Sequence, residues 1–323
     1  MKFLILTSKN PYLNLAIEEY LFSETDDEVF MLWQNEPTVV IGKNQNAYAE
    51  INMNYVRENN IHIARRITGG GAVYHDFGNI NYTFISNNRS NGIDFVYFTK
   101  PIIEALEKLN INAKLSGRND LLVNEKKISG NAQFNKGHRV LHHGTLLFDT
   151  NLDVLCEVLK VDEEKIKSKA IKSVRSRVRN LKSLINDEMN SDDFINVISY
   201  HIINKYNPTV IEAPDCEKIN SLAKRNASNE WLFPKNNFIA DYTVIKKKKY
   251  DFGLLEMNIN MSDEKIIDIK ISGDFFGGKD ISDIERMLKN SSLSKLDTIL
   301  SDIDIEEYIC GMKKDMFISH VLM

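Results

Sequence analysis

In this 323-residue chain, Arg65-Arg66-Ile67-Thr68-Gly69-Gly70-Gly71-Ala72-Val73-Tyr74-His75-Asp76 is the segment whose residue types and spacing speak most directly of chemistry. Three consecutive glycines between two β-prone runs weaken any sheet, so they answer a local need. One such need is a sharp turn. The other is close approach of backbone N–H groups to a ligand, with two arginines upstream supplying fixed charge and a planar fork suited to phosphate. The segment is neither a P-loop nor a dinucleotide fingerprint, because Lys-Ser/Thr and the Gly-x-Gly-x-x-Gly spacing are both missing.

Two further segments carry chemistry. Gly117-Arg118-Asn119-Asp120 is followed by Lys126-Lys127-Ile128-Ser129-Gly130-Asn131-Ala132. Asp120 offers the hard oxygen that Mg²⁺ prefers when it also holds nucleotide phosphates. Lys127 lies close to Gly130, where backbone approach is easy. In His142-His143-Gly144-Thr145-Leu146-Leu147 the adjacent histidines of a strand face opposite sides, so only one can enter a site. Zinc is not expected, since no Cys/His pair has ligand spacing.

These residues need elements to position them. A helix is predicted after Asn10, with Pro11 at its first position and Leu13, Ala16, Ile17, Tyr20 and Leu21 on one face. Strands are expected at 29–33, 38–41, 61–67, 79–86 and 140–149. Helices are expected at 53–60, 95–109 (with Pro101 kinking or splitting it), 151–160 and 162–205. Pro208, Pro214 and Pro234 then punctuate a less regular stretch. Beyond the Lys246–Lys249 run, alternation at 255–261 and 267–271 predicts two half-buried strands. A helix with Ile281, Ile284, Met287 and Leu288 on one face and another near 304–312 complete the pattern. The expected fold class is α+β on a mixed sheet, with domains at 1–245 and 248–323 and the lysine run as an exposed linker between them.

The bulk properties narrow the function. A net charge of -4 and a pI near 6.0 argue against nucleic acid as the main partner. No apolar run is long enough for a membrane span, and the N-terminal Phe3–Leu6 run is too short for a signal peptide. Cys156, Cys216 and Cys310 stand too far apart for a disulfide framework or a zinc knuckle. A cytoplasmic, reduced protein is expected.

The ordered motifs resemble the lipoate-protein ligase family, of the biotin/lipoate ligase superfamily. The similarity covers Asn14–Glu19, Val40–Asn46, the glycine segment through Gly78-Asn79, 117–120, 127–132, 142–147, Ser173–Val178 and Gly273-Asp274-Phe275-Phe276. Lys43 stands where Arg is more usual, and the segment after Trp231 lacks the family's Gly-x-Ser-Pro. The resemblance implies a large mixed-sheet catalytic domain with a small α/β C-terminal domain. It also implies ATP-dependent formation of lipoyl-AMP and transfer to a lysine of an acceptor, either a glycine-cleavage H protein or a 2-oxoacid dehydrogenase lipoyl domain. On this reading Lys127 is catalytic, bridging carboxylate and α-phosphate. Arg66, Gly71, Ala72, Val73 and Tyr74 hold ATP together with Lys127; Gly70, His75 and His143, again with Lys127, hold lipoate. Asp120 and Asn79 take Mg²⁺. Arg175, Arg177 and Arg179 form a basic stripe that would steer an acidic acceptor. The rivals are an octanoyltransferase of the same fold with a cysteine acyl-enzyme, a biotin ligase, and a non-catalytic acyl-binding protein. Cys156, at helical spacing with Leu152, Leu155 and Leu159, reads as core rather than nucleophile.

Overall fold

The computed structural model describes residues 1–87, 92–160, 176–185, 188–234 and 242–322. In chain order the first part runs β1 (Lys2–Ile5), α1 (Pro11–Ser23), β2 (Val29–Trp33), β3 (Thr38–Ile41), α2 (Ala47–Glu50), α3 (Met53–Glu58), β4 (His62–Arg65), β5 (Val73–His75) and β6 (Asn79–Ser86). Then come α4 (Phe95–Glu107), β7 (Lys114–Ser116), β8 (Asp120–Val123), β9 (Lys126–Lys136), β10 (Arg139–Leu147), α5 (Leu152–Val158), the helix Ser191–Tyr206 and β11 (Thr209–Val210). Eight of these strands form one mixed sheet in the order β11-β1-β2-β6-β10-β9-β8-β7, and β4-β3-β5 form a second, small sheet.

Period-two alternation sorts the main sheet's residues onto two faces. Phe30, Leu32, Ile80, Tyr82, Phe84 and Leu146 pack under α4 and Ser191–Tyr206, against Phe98, Ile102, Phe194 and Ile198. Val29, Met31, Trp33, Ile85 and Leu141 face the other way, against Leu15, Ile17 and Leu21 of α1. Asn10 caps α1 as expected, its side chain accepting from the Tyr12 and Leu13 amides, a contact worth about 1 kcal/mol. The inward face of α1 also carries Asn14 and Glu18, both buried and one turn apart. Pro101 does not split α4, which runs unbroken through it.

β12 (Val244–Tyr250), β13 (Gly253–Ser262), β14 (Lys265–Gly273) and β15 (Ser291–Ser292) form a separate antiparallel sheet with its own core of Leu255, Met257, Ile269, Ile271, Phe275, Ile284 and Phe317. Lys246–Lys249 is therefore no linker: these residues pair along β13 as part of its edge strand. Lysines on an exposed edge discourage strand addition, a reason for the run that does not involve a hinge. Met287 points outward, unlike Ile281, Ile284 and Leu288. Near 304–312 there is only a short 3-10 turn (Ile305–Glu307), and the expected regular helix lies later, at Lys314–Leu322. The expected 162–205 helix is not one element: 162–175, with Arg175, and 186–187 lie outside the described residues, Val178 bridges to Lys127, Leu181–Leu184 is a short 3-10 turn, and the regular helix is Ser191–Tyr206. Among those described, no helix is long and apolar enough to cross a membrane.

The small sheet domain seats against the larger one through backbone. The Gly273 amide donates to the Asn44 carbonyl at 3.0 Å. A Cβ at Gly69 would lie 2.2 Å from the Phe275 carbonyl oxygen. Gly69→Ala is therefore expected to push the Phe275-Phe276 segment off the glycine loop and to cost about 1–3 kcal/mol by overpacking. Chemical unfolding of the full chain measures it; an unchanged midpoint would mean the two segments do not meet this closely.

Candidate active site

A cavity of about 210 Å³ lies between the main sheet and the small β4-β3-β5 sheet. Its floor is a single cross-strand row. Trp33 of β2 pairs with Asn81 of β6, and Asn81 pairs with Thr145 of β10. The Thr145 hydroxyl accepts from the Gly130 amide of β9 at 3.2 Å, and Gly130 pairs with Asp120 of β8. All five line the cavity. Four strand spacings make this row roughly 19 Å long, apolar at the Trp33 end, where Leu15 and Val40 also contribute, and charged at the Asp120 end. Such a slot suits an extended chain with a polar head.

At the charged end, Lys127 Nζ stands 2.8 Å from Asp120 Oδ1. Gly130 makes room for it, since a Cβ there would meet Nζ at 3.0 Å. Arg118, Asn119, Asn131 and Asp274 complete this end. Asp274 comes from the small domain and faces Arg118 at 3.9 Å, while the Arg118 guanidinium lies 4.7 Å from the centre of the Phe276 ring. Trp33 and Asn81 carry no local signal of a site, because only strand register brings them to the row; Leu15, inside the Asn14–Glu19 motif but without an expected site role, reaches its apolar end from α1.

The glycine loop is braced from below. Arg66 donates to the Val40, Gly69 and Gly71 carbonyls and to Thr68 Oγ1, at 2.8–3.1 Å. Burial lowers its pKa to about 10, so it stays charged at neutral pH. Thr68 meets His143 Nε2 at 2.9 Å, and His143 Nδ1 donates to Glu18 at 2.9 Å. His143 is thus engaged on both nitrogens while lining the cavity. Its neighbour His142 faces the opposite core, boxed by Phe98, Tyr82 and Phe95.

His75 also lines the cavity and is 3% exposed. Asn14 Nδ2 donates to Asn35 Oδ1, which leaves the Asn35 NH₂ to donate to His75 Nδ1 at 3.1 Å. The network therefore assigns the His75 proton to Nε2, a buried donor without a partner among the described residues. Burial, with Arg66 and then His143 adding repulsion, pushes the His75 pKa down to about 3, so the ring is neutral.

Of the residues singled out by sequence, Arg66, Gly71, Ala72, Val73, His75, Asp120, Lys127 and His143 meet at this cavity. Gly70, Tyr74 and Asn79 do not line it. The Cβ position of Gly70, at φ +92°, faces Arg66 and the Phe276 ring. The Tyr74 side chain is buried on the far side of the small sheet with Val39, Ile41 and Val56. Asn79 lies one pleat beyond Asn81, to which its amide donates at 2.9 Å. Among the described residues no three His, Cys, Asp or Glu gather for a metal. Asp120 alone still fits Mg²⁺ that arrives with phosphates and keeps its waters. No cysteine lines the cavity. Cys156 is buried, and Cys310 packs beside Phe276, with burial raising its pKa.

Residues 10–203 match the family model of the lipoyl protein ligase A/B catalytic domain, and 240–320 match that of the bacterial lipoate protein ligase C-terminus. A lipoate-protein ligase of Bacillus subtilis is 39% identical over 320 residues, 96% of each chain. The P. falciparum protein LipL1, solved in complex with lipoate, superposes with a TM-score of 0.80 at 26% identity, covering 99% of this chain and 98% of that one. A lipoate-protein ligase A bound with ATP gives 0.61 at 28% identity, covering 71% and 97%.

Proposed function

The chain belongs to the lipoate-protein ligase family, with that enzymatic activity, and from this premise we propose how its own residues carry out the reaction. Lipoate lies along the Trp33–Asp120 row, its ring toward Leu15, Trp33 and Val40 and its carboxylate toward Lys127. ATP occupies the charged end beneath the Gly71-Ala72-Val73 backbone. A carboxylate oxygen forms a bond to the α-phosphorus, the bond to the β-phosphate bridge breaks, and pyrophosphate leaves. Both reactants are anionic, so Lys127 stands between them and offsets the charge that builds up in the transition state. His75 donates a hydrogen bond from its Nε2–H to a substrate oxygen and stays neutral as it does so. Arg66 keeps the loop carbonyls turned inward, which leaves the amides of the glycine loop for phosphate. Mg²⁺ held by Asp120 would neutralise the phosphates; Asn79 would take part only through Asn81.

In the second half the amine of an acceptor lysine attacks the carbonyl carbon, the bond to AMP breaks, and the new amide loses a proton. Positioning carries most of this step, so no protein nucleophile is needed. The acceptor is a lipoyl-bearing protein, an H protein or a 2-oxoacid dehydrogenase lipoyl domain, met in the cytoplasm. The observation that carries the reading is Lys127 paired with Asp120 at the end of a row long enough for an extended acid. Pyrophosphate release from ATP that requires lipoate tests it; release independent of the acid, or none, would refute it.

One expectation follows from the cysteines. A Cys156→Ser, Cys216→Ser, Cys310→Ser triple variant should lipoylate an acceptor within about threefold of the wild-type rate, after allowing for some lost stability at the buried Cys156. A folded triple variant without activity would revive a cysteine acyl-enzyme.

A further inference from the structure

Arg65, the first of the two adjacent arginines, takes no part in the cavity wall. It is 3% exposed, and among the described residues its hydrogen bonds all run to carbonyl oxygens. Nη1 donates to Gly42, Lys43 and Gln45 at 3.0, 3.0 and 2.8 Å. Nε donates to Trp231 at 3.0 Å and Nη2 to Leu232 at 2.7 Å. The Trp231 indole in turn donates to the Arg65 carbonyl at 3.0 Å. Burying a guanidinium without a carboxylate is costly, so the five bonds must hold something that matters.

What they hold is the Gly42–Gln45 turn, which touches two other parts of the molecule. Toward the glycine loop, the Lys43 amide donates to the Thr68 carbonyl at 2.8 Å. The bare Gly42 admits the Gly70 carbonyl to 2.1 Å from where a Cβ would sit. Toward the small domain, the Asn44 carbonyl accepts from the Gly273 amide at 3.0 Å, and Lys43 Nζ pairs with Asp280 at 3.2 Å. One turn therefore sets the glycine loop and the small domain against each other, and Arg65 is the clamp on that turn.

We propose that Arg65 is a positioning residue for nucleotide binding, acting through the Gly42–Gln45 turn on the glycine loop. This rests on the assignment of ATP to that loop. The apolar wall for the acid is Leu15 of α1, Trp33 of the main sheet and Val40 of β3, and Val40 is held by its strand pairing to Ala64 and Val73 rather than by the clamp. Arg65→Lys keeps the charge but loses the planar fork that spans five carbonyls. In the full-length variant the KM for ATP rises roughly tenfold, while kcat and the dissociation constant for lipoate stay within about twofold. In Arg65→Ala, methylguanidinium restores part of the ATP affinity; where that variant fails to fold, Arg65→Lys carries the test. A folded Arg65→Lys with wild-type ATP kinetics overturns the proposal, as does equal loss of ATP and lipoate binding with no response to methylguanidinium. Wild-type protein that binds lipoate but not ATP would overturn the nucleotide assignment together with this one. Normal wild-type turnover beside an indifferent Arg65→Lys overturns this one alone.

Discussion

Lys127→Ala should slow lipoate-dependent pyrophosphate release by about a thousandfold, the cost of removing one preorganised charge from a developing anion. Its folded stability should hardly change, since the Lys127–Asp120 pair is a third exposed and such pairs contribute little. The effect is large because, among the described residues that line the cavity, the other two cations are engaged elsewhere. Arg66 is committed to the Val40, Gly69 and Gly71 carbonyls and to Thr68, and Arg118 faces Asp274 and the Phe252 carbonyl. Lys127 is held by a single carboxylate across a glycine, so it can swing toward a substrate without breaking a scaffold. Single-turnover measurement of lipoyl-AMP separates this step from transfer. A variant that forms the adenylate at near the wild-type rate would remove Lys127 from the mechanism.

The second large effect is on stability in acid. His142 is fully buried, both ring nitrogens lack partners among the described residues, and burial holds its pKa well below the ordinary value, with His143 adding to the depression. In the unfolded chain the same ring takes up a proton near pH 6.5. Below that pH the unfolded state binds more protons, so stability is lost as pH falls and is complete above it. His142→Phe keeps the stacking on Phe98 but removes the titration. Between pH 8 and pH 5 the wild type should therefore lose up to about 2 kcal/mol that the variant keeps, or up to roughly thirtyfold in the folded-to-unfolded ratio. His75, lowered to about 3, acts in the same direction, and Glu50, raised by burial to about 7, acts against it. Both are common to the two proteins and cancel in the comparison. Urea titrations at a series of pH values read the difference directly, and parallel pH profiles would show that His142 can be protonated in place.

The glycine loop, the Lys127 and Asp120 segments and the His-His strand are legible in the residues alone, because each is a short run whose chemistry is local. Period-two alternation also announced that only one of the two histidines could enter a site. It could not say which, since that depends on which core α4 covers. Strand pairing settled it by placing His142 with Phe98 and His143 with Thr68. The two arginines were indistinguishable as letters, yet one lines the cavity and the other clamps a turn some twenty residues earlier in the chain. The Lys246–Lys249 run resembled a linker because charge dominates its composition, whereas its place is set by backbone pairing with β13. Most of all, the row from Trp33 to Asp120 joins residues nearly ninety positions apart, and no periodicity along the chain encodes it. Register across five strands decides that row, because hydrogen bonds between strands, not spacing along them, bring an apolar end and a charged end onto one floor.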